Sequence, residues 1–395
     1  MTAFETRLVH PSGIPGEPSH ATSTPLYQTA TFHQDDAGAA RWDYSRSGNP
    51  TRDVLERQLT DLDGAHHAFA YASGIAAVNA VLRLLAPGDE IVCGDDLYGG
   101  TLRLLDDHAR HLGVRVIQVD TSDPSAVERA VSDVTALILV ETPSNPRLRT
   151  ADIPALARIA RRHGARLAVD NSMLSPYLQR PLDLGADIAI QSATKLLGGH
   201  GDLTAGVVAT NDAALAERLA FLRNAEGTAL APFESWLLIR GLETLAVRLE
   251  RQLDNVARLL PWLRGHPAIR RVHYPGSPDL APRSGVVISV ETGSVPISRR
   301  LVAATRLFRT TVSFGCVTSS ISLPCTMSHA SVPEARRAQS GLAEDLVRIS
   351  VGIEAADDLV ADLERALGEE KGKGEPRGPV IRSESVSAPG LLGSP

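Results

Sequence analysis

Between about residue 59 and residue 210 the chain repeats one pattern: a short apolar run, a turn of small residues, and an amphipathic stretch of helical period. "AHHAFAYASG" leads into "IAAVNAVLRLLAPGD", "EIVCGDDLYGG" into "LRLLDDHARHLG", and "VRVIQVD" into "SAVERAVSD". "VTALILVETPSNP" and "DIPALARIARRHG" continue the series, and "ARLAVDNS", "ADIAIQSATK" and "TAGVVAT" add three short strands. Strands alternating with helices of this length form βαβ units and hence a largely parallel sheet. The strands are apolar almost throughout, which fits a sheet covered on both faces. In open α/β sheets ligands bind at the carboxyl ends of the strands. The residues just after each apolar run therefore bear most on function.

At 395 residues the chain is too long for one ordinary core. Residues 1–58 are rich in Pro, Gly, Ser and Thr and read as an extended arm without a core of its own. Residues 59–255 read as the large domain. The periodic run "ESWLLIRGLETLAVRLERQLDNVARLLPWLRGH" is expected to break into two helices at Gly241. Residues 256–368 mix strands and helices on a smaller scale, as a second, α+β domain. Residues 369–395 are polar and rich in Gly, Pro and Ser, the composition of a disordered tail. The net charge of −6 offers no basic footprint, so no nucleic-acid partner is expected. "MTAFETRLVHPSG" has no apolar signal core and no run reaches bilayer length, so no membrane partner is expected and the expected location is cytoplasmic. Cys93, Cys316 and Cys325 form no CxxC pair and read as small buried hydrophobes. With no HExxH pattern and no cysteine cluster, no metal site is expected.

Lys195 follows the apolar run "ADIAIQ", three residues after Ser192 and directly after Thr194, within "SATKLLGGHG". A lysine at the end of a buried strand is unfavourable unless it has a partner or a chemical role. One such role is covalent: the amine forms a Schiff base with a carbonyl cofactor, and nearby hydroxyls hold that cofactor's phosphate. A single lysine is otherwise a solvated surface charge. Ser73-Gly74-Ile75 follows "HAFAYA" and opens a helix, where free N–H groups and the dipole suit a phosphate; it also reads simply as a small-residue turn. Asp170 ends "ARLAV" and needs a cation such as a protonated pyridine nitrogen, or else serves a turn with Asn171 and Ser172. Tyr98, beside two glycines in "DDLYGG", can stack on a ring and move a proton, or cover the core. What shifts the balance is that all four features fall at successive strand ends. "GGHGD" is not a Walker loop, because the Lys-Ser/Thr ending is missing.

These residues lie in a chain that resembles the Cys/Met-metabolism family of pyridoxal-phosphate enzymes, which includes cystathionine γ-synthases, cystathionine γ-lyases, methionine γ-lyases and cystathionine β-lyases. "YSRSGNPTR", "SGIAA", "DLYGGT", "ETPSNP", "VDNS", "SPYLQRPLDLGADI", "SATK", "GGH", "RGLETL", "RVHYPG" and "LVRISVGIE" run in family order between about residues 5 and 368. The resemblance implies an α/β, PLP-dependent transferase fold of type I: a mostly parallel sheet in a large domain, an N-terminal arm, and a smaller α+β C-terminal domain. It implies pyridoxal 5'-phosphate as cofactor and a small amino acid as substrate. Lys195 would carry the cofactor and move the Cα and Cβ protons, Asp170 would pair with the ring nitrogen, and Tyr98 would stack on the ring and assist as acid or base. Ser192, Thr194 and the turn Ser73-Gly74-Ile75, through the backbone of Gly74 and Ile75, would hold the phosphate. Tyr44 and Arg46 would reach the phosphate of a neighbouring subunit, which implies a homo-oligomer, a dimer within a tetramer. Arg348, helped by Asn145 and Ser319, would grip the substrate carboxylate through its planar fork. Arg103 and Asp43 fall near positions that read the distal end of the substrate.

The expected activity is elimination or replacement at Cγ of an amino acid, with a C–S β-lyase as the alternative. The sequence departs from the family pattern around the substrate. Thr318 in "SFGCVTSS" stands where Glu is usual and Cys316 where Gly is usual. Gly100 follows "YG" where methionine γ-lyases carry Cys, Gly201 replaces Ser, and Ser172-Met173 replace Thr-Phe. "YPGSPDLAPRSG" is shorter than the family's segment. These departures imply intact cofactor machinery with a drifted substrate shell, and a substrate larger or less charged than cystathionine. A catalytically silent binding protein is disfavoured by the presence of Lys195, Tyr98 and Arg348 together. An aminotransferase would need a keto-acid acceptor.

Overall fold

The apolar runs become the strands of a seven-stranded sheet in the computed structural model, which describes residues 3–16, 19–34, 41–275, 284–330, 337 and 341–368. The strands are β1 (His67–Tyr71), β2 (Glu90–Gly94), β3 (Arg115–Val119), β4 (Thr135–Glu141), β5 (Arg166–Asp170), β6 (Ile188–Gln191) and β7 (Gly206–Thr210), in the order β1-β7-β6-β5-β4-β2-β3. The pairs among β2 to β6 are parallel, and β7 runs antiparallel to both β1 and β6. Successive residues of a strand face opposite ways, so each run feeds two cores. Ile91, Cys93, Leu137 and Leu139 pack against the helices α3 (Gly74–Leu82), α4 (Gly99–His111) and α8 (Ala213–Glu226). Val92, Ile138, Val140 and Leu167 pack against α6 (Ile153–Arg162) on the other face. A sheet buried on both sides has no use for alternating polar residues, which explains its near-continuous hydrophobicity.

The arm is shorter than the sequence implies. Helix α2 (Pro50–Asp63) begins at Asn49, whose side chain accepts from Thr51 N, with Pro50 at the first position. It ends at Gly64 in the left-handed region. Val54, Leu55, Leu59 and Leu62 on it are fully buried in one core with α9 (Pro232–Glu243) and the start of α10 (Leu245–Gly265). The arm therefore ends near residue 49, not 58, and Leu8 within it is already buried in this same core. Its Pro/Gly/Ser/Thr-rich composition simply runs on to the cap of α2.

The expected break at Gly241 is also displaced. Gly241 lies inside α9, and the helices part at Thr244. A Cβ on Gly241 would come within 2.6 Å of Gly198 O and 2.9 Å of Leu197 O. The glycine thus lets α9 approach the turn after Lys195. Helix α10 serves two cores: Leu249 and Leu253 join the first, while Val256, Leu259 and Leu263 join that of the second sheet.

The second sheet has five strands in the order β10-β11-β12-β9-β8, with β8 (Arg271–His273), β9 (Val287–Glu291), β10 (Arg309–Thr310), β11 (Ser320–Ser322) and β12 (Leu346–Ser350). Helices α11 (Val295–Ala304) and α12 (Ala356–Gly368) cover it through Leu301, Leu359 and Leu363. The tail expected over 369–395 and most of "YPGSPDLAPRSG" lie outside the described residues. No helix of the described residues is long and apolar enough to cross a membrane. Cys93 and Cys325 are buried, as small hydrophobes are, whereas Cys316 is half-buried and faces a cavity.

Candidate active site

A cavity of about 250 Å³ opens at the carboxyl ends of the strands and is closed by Val312, Phe314 and Arg348 from the second sheet's side. One end of it is a ready anion site. Ser73, at the end of β1, is extended (φ −163°), and its Oγ accepts from Ala76 N at 3.2 Å, which caps α3. The first-turn amides of Gly74 and Ile75 have no acceptor within the helix, and both residues line the cavity. A Cβ on Gly74 would lie 2.7 Å from Ser192 Oγ, so only glycine lets the helix start meet the end of β6. Ser192 N donates to Ser172 Oγ at 2.7 Å, and Thr194 Oγ1 exchanges hydrogen bonds with the backbone of Ala205. Helix dipole, free amides and two hydroxyls together can hold a phosphate.

Two carboxyl groups stand side by side at the next strand ends. Glu141 ends β4, Asp170 ends β5, and the two are register partners. Asp170 Oδ1 accepts from Ser172 Oγ at 2.6 Å and Ser172 N at 3.0 Å; its pKa is raised by burial, against which these bonds and Lys195 act. Glu141 Oε2 accepts from Tyr98 N at 2.8 Å. Burial, and then the charge of Asp170, push the Glu141 carboxyl well above the usual range. A ring cation beside Asp170 would relieve its unfavourable burial. Sequence reasoning passed over Glu141, although the strand-end rule that picks out Asp170 applies equally to "VTALILVE". Tyr98 is 41% exposed at the start of α4. A Cβ on Gly100 would fall 2.4 Å from its Cε1, so the absence of a side chain at 100 seats the ring.

Lys195 sits between these groups. Its Nζ donates to Ser313 Oγ at 3.0 Å and lies 5.4 Å from the Phe314 ring centre. Its pKa is lowered to about 8, first by burial, then by Arg348, with Asp170 acting the other way. An amine at that value is about one-tenth free base at pH 7, far more than an ordinary lysine, and so can act as a nucleophile and a base. Its turn is held from behind by Arg248 on α10. Arg248 Nη1 donates to Leu196 O at 2.9 Å, Nη2 to Gly241 O at 2.8 Å, and Nε to Thr244 Oγ1 at 3.0 Å. Burial lowers its pKa to about 10. Neither Ser313 nor Arg248 carries a local sequence signal.

Arg348, on the central strand β12, is fully buried. It donates to Asn145 Oδ1 at 2.9 Å, Val312 O at 2.9 Å and Ser313 O at 3.1 Å. Burial lowers its pKa to about 10, while Glu141 supports its charge. It stands in the cavity with Lys195 and can receive a carboxylate. Ser319 does not join it: its Oγ donates to Glu354 Oε2 at 2.9 Å and accepts from Gly352 N at 2.8 Å, away from the cavity lining. Tyr44 is half-exposed with the Arg46 guanidinium 5.3 Å over its ring, and Asp43 accepts from Tyr44 N. These three and Arg103, exposed on α4, do not line the cavity of their own chain.

The profile of the Cys/Met metabolism PLP-dependent enzymes matches residues 5–368. Among curated proteins, the chloroplastic cystathionine beta-lyase of Mimosa pudica is 49% identical over 361 residues, covering 89% of this chain and 79% of that protein. The cystathionine gamma-lyase of Bacillus subtilis is 42% identical over 374 residues, covering 92% and 98%. Among solved structures, cystathionine gamma-lyase from Lactobacillus plantarum complexed with L-serine has a TM-score of 0.89 at 42% identity, covering 93% of this chain and 99% of that one.

Proposed function

The chain belongs to the Cys/Met metabolism PLP-dependent enzymes, and on that premise we propose that it cleaves the C–S bond at Cβ of cystathionine by β-elimination. The observation that carries the reading is Lys195: a partly buried amine with its pKa lowered to about 8, in one cavity with the buried guanidinium of Arg348. When bound, pyridoxal phosphate supplies the electron sink for the pair left at Cα. Gly74, Ile75, Ser192 and Thr194 would hold its phosphate, Asp170 would pair with its ring nitrogen, and Lys195 would be its attachment point.

Arg348 and Asn145 fix the substrate carboxylate, which orients the Cα–H towards Lys195. Lys195 removes that proton. The Cβ–S bond then breaks, the sulfur leaves with its electron pair, and Lys195 or the Tyr98 hydroxyl returns a proton to it. Water completes the balance: cystathionine and water yield homocysteine, pyruvate and ammonia. The γ reading, which the sequence favours first, needs a second proton removed from Cβ before the γ bond breaks. The greater identity to the plant β-lyase, 49% against 42% for the Bacillus γ-lyase, moves the reading to β. The exposed pair Tyr44 and Arg46, outside its own cavity, supports an arm that completes the site of a second copy.

The test is the product set from L-cystathionine. Pyruvate with homocysteine is expected. 2-Oxobutyrate with cysteine would return the assignment to Cγ, and a keto-acid requirement for ammonia release would remove lyase chemistry altogether.

A further inference from the structure

A second cavity of about 440 Å³ adjoins the first. Thr194, Thr204 and Phe314 are walls common to both, and Ser313, which accepts from the Lys195 amine, faces the second. The two spaces are thus neighbours across Thr194, Thr204 and Phe314. The chamber's chemistry is one-sided. Hydroxyls line it, at Thr310, Thr311, Thr318 and Ser320, with the half-buried thiol of Cys316 and one permanent cation, Arg309. His200, also a wall, spends Nδ1 on Gly198 O at 2.7 Å. No Asp or Glu is among the lining residues.

We propose that this chamber receives the departing half of the substrate and selects a tail that carries a carboxylate over one that carries only an ammonium group. The proposal rests on the C–S lyase reading. An ammonium group entering here sheds water without meeting an opposite charge, and it approaches Lys195 and Arg309 of like sign. A carboxylate meets a guanidinium and several hydroxyl donors, which suit it. In cystathionine, whose tail carries both groups, the distal ammonium contributes little to selection. Its specificity then lies in chain length and in the distal carboxylate, and Thr318 is the wall position at which an acid would change that.

The experiment uses the holoenzyme in two arms. The first compares kcat/KM for pyruvate release from cystathionine, S-(3-carboxypropyl)-L-cysteine and S-(3-aminopropyl)-L-cysteine. The carboxypropyl compound should stay within about threefold of cystathionine and the aminopropyl compound should fall at least about tenfold below it. Thr318→Glu should narrow that gap, and Arg309→Met should lower the first two and spare the third. An aminopropyl compound that matches or exceeds the carboxypropyl one overturns the proposal. The second arm needs no turnover: the alkylation of Cys316 by iodoacetate relative to iodoacetamide, normalised to free cysteine. The ratio should rise by about three- to tenfold and drop in Arg309→Met. A ratio at or below that of free cysteine overturns the chamber's charge preference. Pyruvate from none of the three compounds, with the ratio still raised, overturns the lyase reading and upholds that preference.

Discussion

The two cavities differ in what builds them. The first is made largely of residues at and just after the strand ends of the seven-stranded sheet, with Arg348 added from the second sheet, and it holds charges of both signs out of bulk water: Arg348 and Glu141 buried, Lys195 and Asp170 partly so. The second is made of the short edge strand β10, its short neighbour β11 and the turn after Lys195, and it holds hydroxyls and a single permanent cation. Register explains the contrast. Strand ends fix neighbouring side chains to one another, as the pairing of the like-charged Glu141 and Asp170 does, so the two carboxyls can be set against Arg348 and Lys195 and desolvated with them. A wall of loop and edge strand has no such lattice, and hydroxyls adapt where fixed charges would be stranded. The comparison separates chemistry that must not drift from recognition that can.

That separation is open to attack from the first cavity outward. Lys195→Ala should lose the cofactor's absorbance and lower kcat by about 10³-fold or more; a visible band and retained turnover would place the reactive amine elsewhere. Arg348→Lys should raise KM by about 30- to 100-fold with a smaller effect on kcat, because an ammonium cannot replace the planar fork. Arg248→Met removes the guanidinium donor from the carbonyls of Leu196 and Gly241. It should destabilise the fold by about 3 kcal/mol in denaturant titration, and it should shift the pH dependence of cofactor capture, which a simple packing role would not move. Tyr98→Phe keeps the ring over Gly100 and removes the hydroxyl, so about a tenfold loss in kcat is expected with the cofactor retained.

The smallest effect is one of pH. The Lys195 amine reacts only as free base, and its pKa is lowered to about 8. Capture of pyridoxal phosphate by the apoenzyme should therefore speed up about tenfold per pH unit below that value and level off above it. A rate still climbing near the ordinary lysine range would mean that the amine is not desolvated as described.

The sheet was legible because its strands are buried on both faces and its helices keep one period. Asp170, Lys195 and the Ser73-Gly74-Ile75 turn were legible because a polar residue after a buried run must have a reason to be there. Glu141 obeyed the same rule and was missed behind the proline-rich exit that follows it. Ser313 and Arg248 were not legible: each meets its partner across a long stretch of chain, Ser313 across 118 residues and Arg248 across 52, and nothing nearby marks either. Ser319 shows the opposite error. Its place in a motif implied a substrate contact, while the fold turns its hydroxyl to Glu354. Composition placed the end of the arm too late because the residues before Pro50 resemble a linker up to the cap itself.

The most direct measurement is borohydride reduction of the holoenzyme followed by peptide mapping. The account predicts one pyridoxyl label, on Lys195. A label on any other residue, or none on a protein that retains the cofactor, would contradict it.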